Sequence, residues 1–136
     1  MARADRIPYL PRQRLVTIDV TLNGVSGFVL LVDTGAERTM ISSRAASRLG
    51  LDLTRPLRLE PLAGVGQSPP VPVVLLDRMK VGGTEASRIA ASVYDLPPLF
   101  HVDGLLGMNF LGRYRVSFEP GTRTLVLRVP PSHRTP

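Results

Sequence analysis

Thirteen prolines and twelve glycines cut this chain of 136 residues into short segments, which favours strands and turns over long helices. The length suits a single domain built around one core. Hydrophobic residues make up 43% of the chain and charged residues 21%, a globular balance and not that of a disordered chain. Only 5% is aromatic and Trp is absent, so Leu, Val and Ile must build the core.

The local patterns are mainly those of strands. In LVTIDVTL, Val16, Ile18, Val20 and Leu22 are apolar while Thr17, Asp19 and Thr21 are polar, the period of a half-buried strand. Asn23-Gly24 supplies a hairpin turn, because both residues tolerate positive φ. A second strand, residues 25–32, loses the alternation and is expected to be buried on both faces. It runs through FVLLV directly into Asp33, Thr34, Gly35 and Ala36. An acid in that place either begins an ordinary turn or is delivered by the strand into a cleft.

After that turn TMIS gives a short extended piece, and SRAASRLG one or two helical turns. Ser42 or Ser43 can cap the helix start, Ala45, Ala46 and Leu49 share a face, and Gly50 can close it. Apolar runs at 57–62 and 71–76 flank AGVGQSPP, whose Gly64 and Gly66 read as a flexible hairpin tip. A short strand then ends at the Val81-Gly82-Gly83 turn, and residues 89–94 form another. The segment HVDGLLGMNFLGRYRVSF repeats the earlier plan of strand, Gly turn and short helix, with Met108 and Leu111 expected to face inward. YRVSFEP, a turn at Pro120-Gly121, and RTLVLRV make a closing hairpin. Residues 1–14 read as an N-terminal arm and 130–136 as a C-terminal tail around a domain of residues 15–129. Tyr9-Leu10, an apolar pair between prolines in a segment expected to be extended, is a candidate processing site in a longer precursor.

Several function classes are excluded by composition. Without cysteine there are no disulfides, no thiolate chemistry and no Cys-based zinc site. His101 and His133 are too few and too isolated for a metal site, and both are expected at the surface. The net charge is +6, with sixteen Arg against one Lys, yet the arginines are scattered and no Arg-rich helix is evident. No nucleic-acid partner is expected. The N-terminus lacks an apolar signal region, and the run at 28–32 is far too short to span a bilayer. The chain as given reads as soluble, cytoplasmic by default, unless it is cut from a longer, anchored protein.

The combination resembles the retropepsin-like aspartic proteases, single-domain relatives of the retroviral proteases and pepsin. The resemblance runs from about residue 15 to 129 and is carried by FVLLV leading into DTGA, by AGVGQ, and by DGLLGMNFL. It implies an all-β fold, mainly β with one or two short helices, that forms a half-barrel closed as a homodimer. Only one Asp-Thr-Gly is present, whereas this chemistry needs two facing carboxylates, so the second Asp33 must come from another copy. The paired acids would activate a water without metal, cofactor or covalent intermediate.

The resemblance also assigns roles. Asp33, Thr34 and Gly35 form the catalytic loop, with Thr34 tying the two loops across the dimer and Gly35 clearing room beside the acid. Ala36 and Glu37, with Gly64, Val65 and Gly66 of a flap, would contact substrate. Gln67 stands where many relatives carry a further Gly, which implies a stiffer tip. Leu105, Leu106 and Gly107 would support the loop from behind, and Asp103 would cap or support their turn. Retroviral enzymes usually follow the second-motif Gly with an Arg paired to the acid beyond the catalytic loop. Here Met108 follows Gly107, which leaves Glu37 to face substrate, Arg38 or Arg113. The implied function is an aspartic endopeptidase acting on extended peptide or protein substrates, with hydrophobic side chains at the scissile bond. The alternative is a catalytically idle dimerisation or peptide-binding module of the same fold.

Overall fold

A computed structural model describes residues 3–11, 15–62 and 69–129 of the protein. Among these the chain forms β1 (Ala4–Pro8), β2 (Thr17–Leu22), β3 (Val25–Val32), β4 (Thr39–Ile41), α1 (Ser43–Arg48) and β5 (Arg58–Glu60). It continues through β6 (Val71–Val81), β7 (Thr84–Val93), β8 (Gly104–Leu106), α2 (Met108–Leu111), β9 (Arg115–Glu119) and β10 (Thr124–Arg128). Seven strands make one sheet in the order β2-β3-β8-β4-β7-β6-β5, which curls until β2 also pairs with β6. The other three pair as β1-β10-β9. This is the mainly β architecture with short helices that the sequence implies.

The first hairpin follows the local signals. Asn23 and Gly24 take φ of 49° and 79° between β2 and β3, as a tight turn requires. Ile18, Val20 and Leu22 face the core from β2, and Phe28 and Leu30 meet them from β3. The expectation that β3 is buried on both faces fails. Val29, Leu31 and Val32 are only half-buried, because β3 lies within a sheet whose second face is partly open. At α1, Ser42 Oγ accepts from Ala45 N at 3.0 Å, and Ser43 N donates to Asp95 Oδ1 at 2.8 Å. The helix buries Ala45 and Ala46 and closes at Gly50, φ +69°.

Three further expectations need correction. The short strands assigned near residues 71–76 and 89–94 belong to one long hairpin, β6 with β7, that turns at Gly82-Gly83. Residues 1–14 are not simply an arm: β1 pairs with β10 from Ala4↔Arg128 to Pro8↔Thr124 and buries Ile7. Tyr9-Leu10 follows directly and is tied by Tyr9 N to Arg123 O and Leu10 N to Thr17 O, both at 2.8 Å. That anchoring opposes the extended, accessible state that self-processing needs. In α2, Leu111 faces inward as expected but Met108 is 39% exposed, and fully buried Phe110 takes the inner position beside it. The tail at 130–136 lies outside the described residues, as does His133, while His101 is exposed.

The middle of the curled sheet is its tightest region. β8 runs parallel to β3 and antiparallel to β4, with Leu30↔Gly104 and Ile41↔Gly104 as partners. A Cβ on Gly104 would stand 1.9 Å from Met40 O, so only glycine lets these backbones meet. Replacing Phe110 by Ala should lower the unfolding free energy by about 3–5 kcal/mol. The exposed Met108→Ala should change it by about 0.5 kcal/mol or less. Urea unfolding of the two variants checks the inward phase of α2.

Candidate active site

β3 delivers Asp33 to its place. The strand ends at Val32, paired in parallel with Leu106, and the next N–H, that of Asp33, donates to Leu106 O at 3.0 Å. The chain then turns: Ala36 N donates to Asp33 O at 3.2 Å, and Gly35 N donates to Asp33 Oδ1 at 2.9 Å. One carboxylate oxygen is thus oriented by the backbone of its own loop.

The far side of the loop is held by α2. Met108 N donates to Ala36 O at 2.7 Å and Asn109 N to Glu37 O at 3.0 Å. These bonds require close contact, since a Cβ on Gly107 would lie 2.6 Å from the carbonyl carbon of Arg38. Asn109 then binds three groups. Its Oδ1 accepts from Thr39 N at 2.9 Å and Thr39 Oγ1 at 2.8 Å, and its Nδ2 donates to Ala90 O at 2.7 Å. The buried Thr39 Oγ1 also accepts from Gly107 N at 3.1 Å. Asn109 therefore joins the loop, α2 and β7 in one network. Asp103, with its N bonded to Val29 O at 2.7 Å and its Oδ2 accepting from Val29 N at 2.8 Å, braces β3.

Asp33 borders a cavity of about 500 Å³. Gly35, Ala36, Glu37 and Leu105 share its wall, so the structure brings these sequence-nominated residues together. Leu105 is therefore a wall residue, whereas Leu106 is buried in the core and Gly107 supports the loop. Thr34 is exposed beside the cavity, and its hydroxyl makes no hydrogen bond among the described residues. Gly64, Val65, Gly66 and Gln67 lie outside the described residues, but Pro61 and Leu62, just before them, line the cavity.

The sequence reading missed Met40, Ser92, Tyr94 and Leu96, which line the same cavity, and it named Arg38 only as a partner for Glu37. Arg38 instead pairs with Glu60 and donates from Nη1 to Ser92 Oγ at 3.2 Å. Arg113 donates to Asn109 O and to Ser87 O, both at 3.1 Å. Glu37 has no ion-pair partner among the described residues. Glu60 also accepts from Arg58 Nε at 2.6 Å. That bond chiefly holds the Glu60 carboxyl below the usual range, against desolvation, with Arg38 adding to it. Among the described residues no cluster of His, Asp or Glu could hold a metal, and no helix is long and apolar enough to cross a membrane.

The sequence model of the aspartyl protease family matches residues 18–110, from β2 to α2. The chain belongs to the aspartyl protease family. Among solved structures, a retropepsin-like aspartic protease from Rickettsia conorii superposes with a TM-score of 0.72 at 24% identity, covering 95% of this chain and 92% of that one. The retroviral protease-like domain of Ddi1 from Leishmania major gives 0.57 at 17% identity, over 90% of this chain and 100% of that one. EIAV protease, in complex with the inhibitor HBY-793, gives 0.51 at 21% identity, over 76% and 90%. These likenesses establish the retropepsin-like fold. Among curated proteins none matches.

In this family member the Asn109 network predicts a measurable cost. Asn109→Ala strands Thr39 N and Ala90 O, and should lower stability by about 1–3 kcal/mol for each buried group left unpaired. Denaturant unfolding checks this; a loss below about 0.5 kcal/mol would show that Asn109 is dispensable.

Proposed function

We propose that this family member is an active aspartic endopeptidase whose catalytic unit is a homodimer. One observation carries the reading: the single Asp-Thr-Gly of the chain places Asp33 on the wall of a cavity of about 500 Å³, its carboxylate oriented by Gly35 N. One carboxylate cannot at the same moment be the ionised base that activates the water and the protonated donor to the carbonyl, and a second chain supplies the other. The exposed hydroxyl of Thr34, which makes no hydrogen bond among the described residues, stands next to Asp33 and is available to the matching loop of a partner.

In the proposed reaction the two Asp33 carboxylates, about 3 Å apart, share one proton, as is general for aspartic protease dyads. The ionised member takes a proton from a bound water as that water attacks the peptide carbonyl carbon. The protonated member hydrogen-bonds the carbonyl oxygen, and a proton then passes to the leaving nitrogen as the C–N bond breaks. The dyad titrates as a pair. Met40, Leu62, Tyr94, Leu96 and Leu105 line the cavity and support apolar side chains beside the cleaved bond. Gly64, Val65 and Gly66 act in this reading as a flap over the substrate, with Pro61 and Leu62 at its root.

Asp33→Asn should reduce cleavage of an unstructured protein by at least about 100-fold while leaving the fold and assembly unchanged. Unchanged turnover would refute the catalytic assignment. A folded wild-type dimer that binds peptides yet cleaves none from about pH 3 to about pH 8 would point to the idle module instead.

A further inference from the structure

The wall of the Asp33 cavity is mostly apolar, and Arg38 interrupts it with a fixed cation. Two elements hold that side chain. Ser92 of β7, itself buried, accepts from Nη1 at 3.2 Å, and Glu60 of β5 pairs with Nη2. Glu60 is shared, because Arg58 Nε reaches its other oxygen at 2.6 Å. Two guanidinium groups thus face one carboxylate, and the set of three carries a net positive charge beside the cavity. A guanidinium has five N–H donors, and the two bonds to Ser92 and Glu60 leave several of them for a ligand. Held at 30% side-chain exposure, Arg38 loses little freedom when it binds.

We propose that Arg38 is a specificity residue that receives an acidic side chain of the bound peptide, with Glu60 passing to Arg58 as the incoming carboxylate takes its place on Arg38. The assignment rests on the reading of this cavity as a peptide cleft. It names a substrate class: peptides whose apolar residues around the cleaved bond are accompanied by one Glu or Asp. Arg58 makes the exchange inexpensive, since Glu60 keeps a charged partner throughout. Glu37 lines the same cavity without an ion-pair partner among the described residues and opposes an acidic ligand on its own side. The acidic side chain is therefore expected at the one peptide position that meets the Arg38 guanidinium beside Ser92.

Binding tests this independently of turnover. The full chain carrying Asp33→Asn is titrated into labelled apolar peptides in which each position in turn is Glu, Gln or Lys, and affinity is read by fluorescence anisotropy. At one position Glu should bind about tenfold more tightly than Lys, with Gln between them. Adding Arg38→Gln should bring the Glu-to-Lys ratio within about twofold. Adding Glu60→Gln instead, which removes the internal competitor and leaves Arg38, should raise the ratio. A loosened cavity could not move the ratio in opposite directions, and Glu60→Gln decides the matter should the Arg38 variant fail to fold. A preference for Lys, which would put Glu37 in control, overturns the assignment. So does a Glu preference that survives Arg38→Gln, or a ratio that falls with Glu60→Gln. Peptides that bind without discrimination refute the role of Arg38 alone. A folded protein that binds no peptide refutes the peptide-cleft reading and this assignment with it.

Discussion

The hydrogen bond from Asp33 N to Leu106 O is the junction on which the site depends. It continues the parallel pairing of β3 with β8 by one residue past the strand end, and so fixes where the acid leaves the sheet. Two glycines make the junction possible. Gly104 lets β8 approach β4, and Gly107 lets the start of α2 approach Arg38. Once that packing is in place, α2 can donate to Ala36 O and Glu37 O, and Asn109 can take up Thr39 and Ala90. The acid is therefore positioned from both sides: by the sheet before it and by a short helix after it.

What the sequence revealed and what it concealed divide by distance along the chain. The period of two in β2, the Asn23-Gly24 turn and the Ser42 cap were legible because each depends on neighbours within a few residues. The Asp33 loop was legible for the same reason, as an apolar strand running into Asp-Thr-Gly. The strand β1 was not, since its partner β10 lies at the other end of the chain and Ile7 is its only buried residue. The continuity of β6 was hidden by Asp77 and Arg78, exposed charges that interrupt the apolar run without ending the strand. In α2, one turn is too short for periodicity to set the phase, so Met108 was placed where Phe110 packs. Asn109 escaped notice, and Arg38 was assigned to Glu37, because their true partners, Ala90 and Glu60, come close only through the fold. A polar Asn inside the apolar stretch GLLGMNFLG was the signal that could have flagged the first.

The charges around the cleft follow from the same packing. Met108, which follows Gly107, points toward solvent, and Arg38 and Arg113 are engaged elsewhere. Glu37 and Arg38, the latter tied to Glu60, are consequently separate charges that join Asp33 on a mostly apolar wall. In a site partly shielded from water such charges discriminate more strongly than exposed ones do. In the proposed reading the dyad is common to many substrates, and these few side chains would set which peptides are held.

The central claim is that this chain carries half of an active site. Its most direct test measures the cleavage rate per chain across protein concentration, with the sedimentation mass determined at each point. The account predicts negligible cleavage wherever the mass is that of one chain, and a rate per chain that rises in step with the two-chain species. Full cleavage by a species with the mass of a single chain would contradict it.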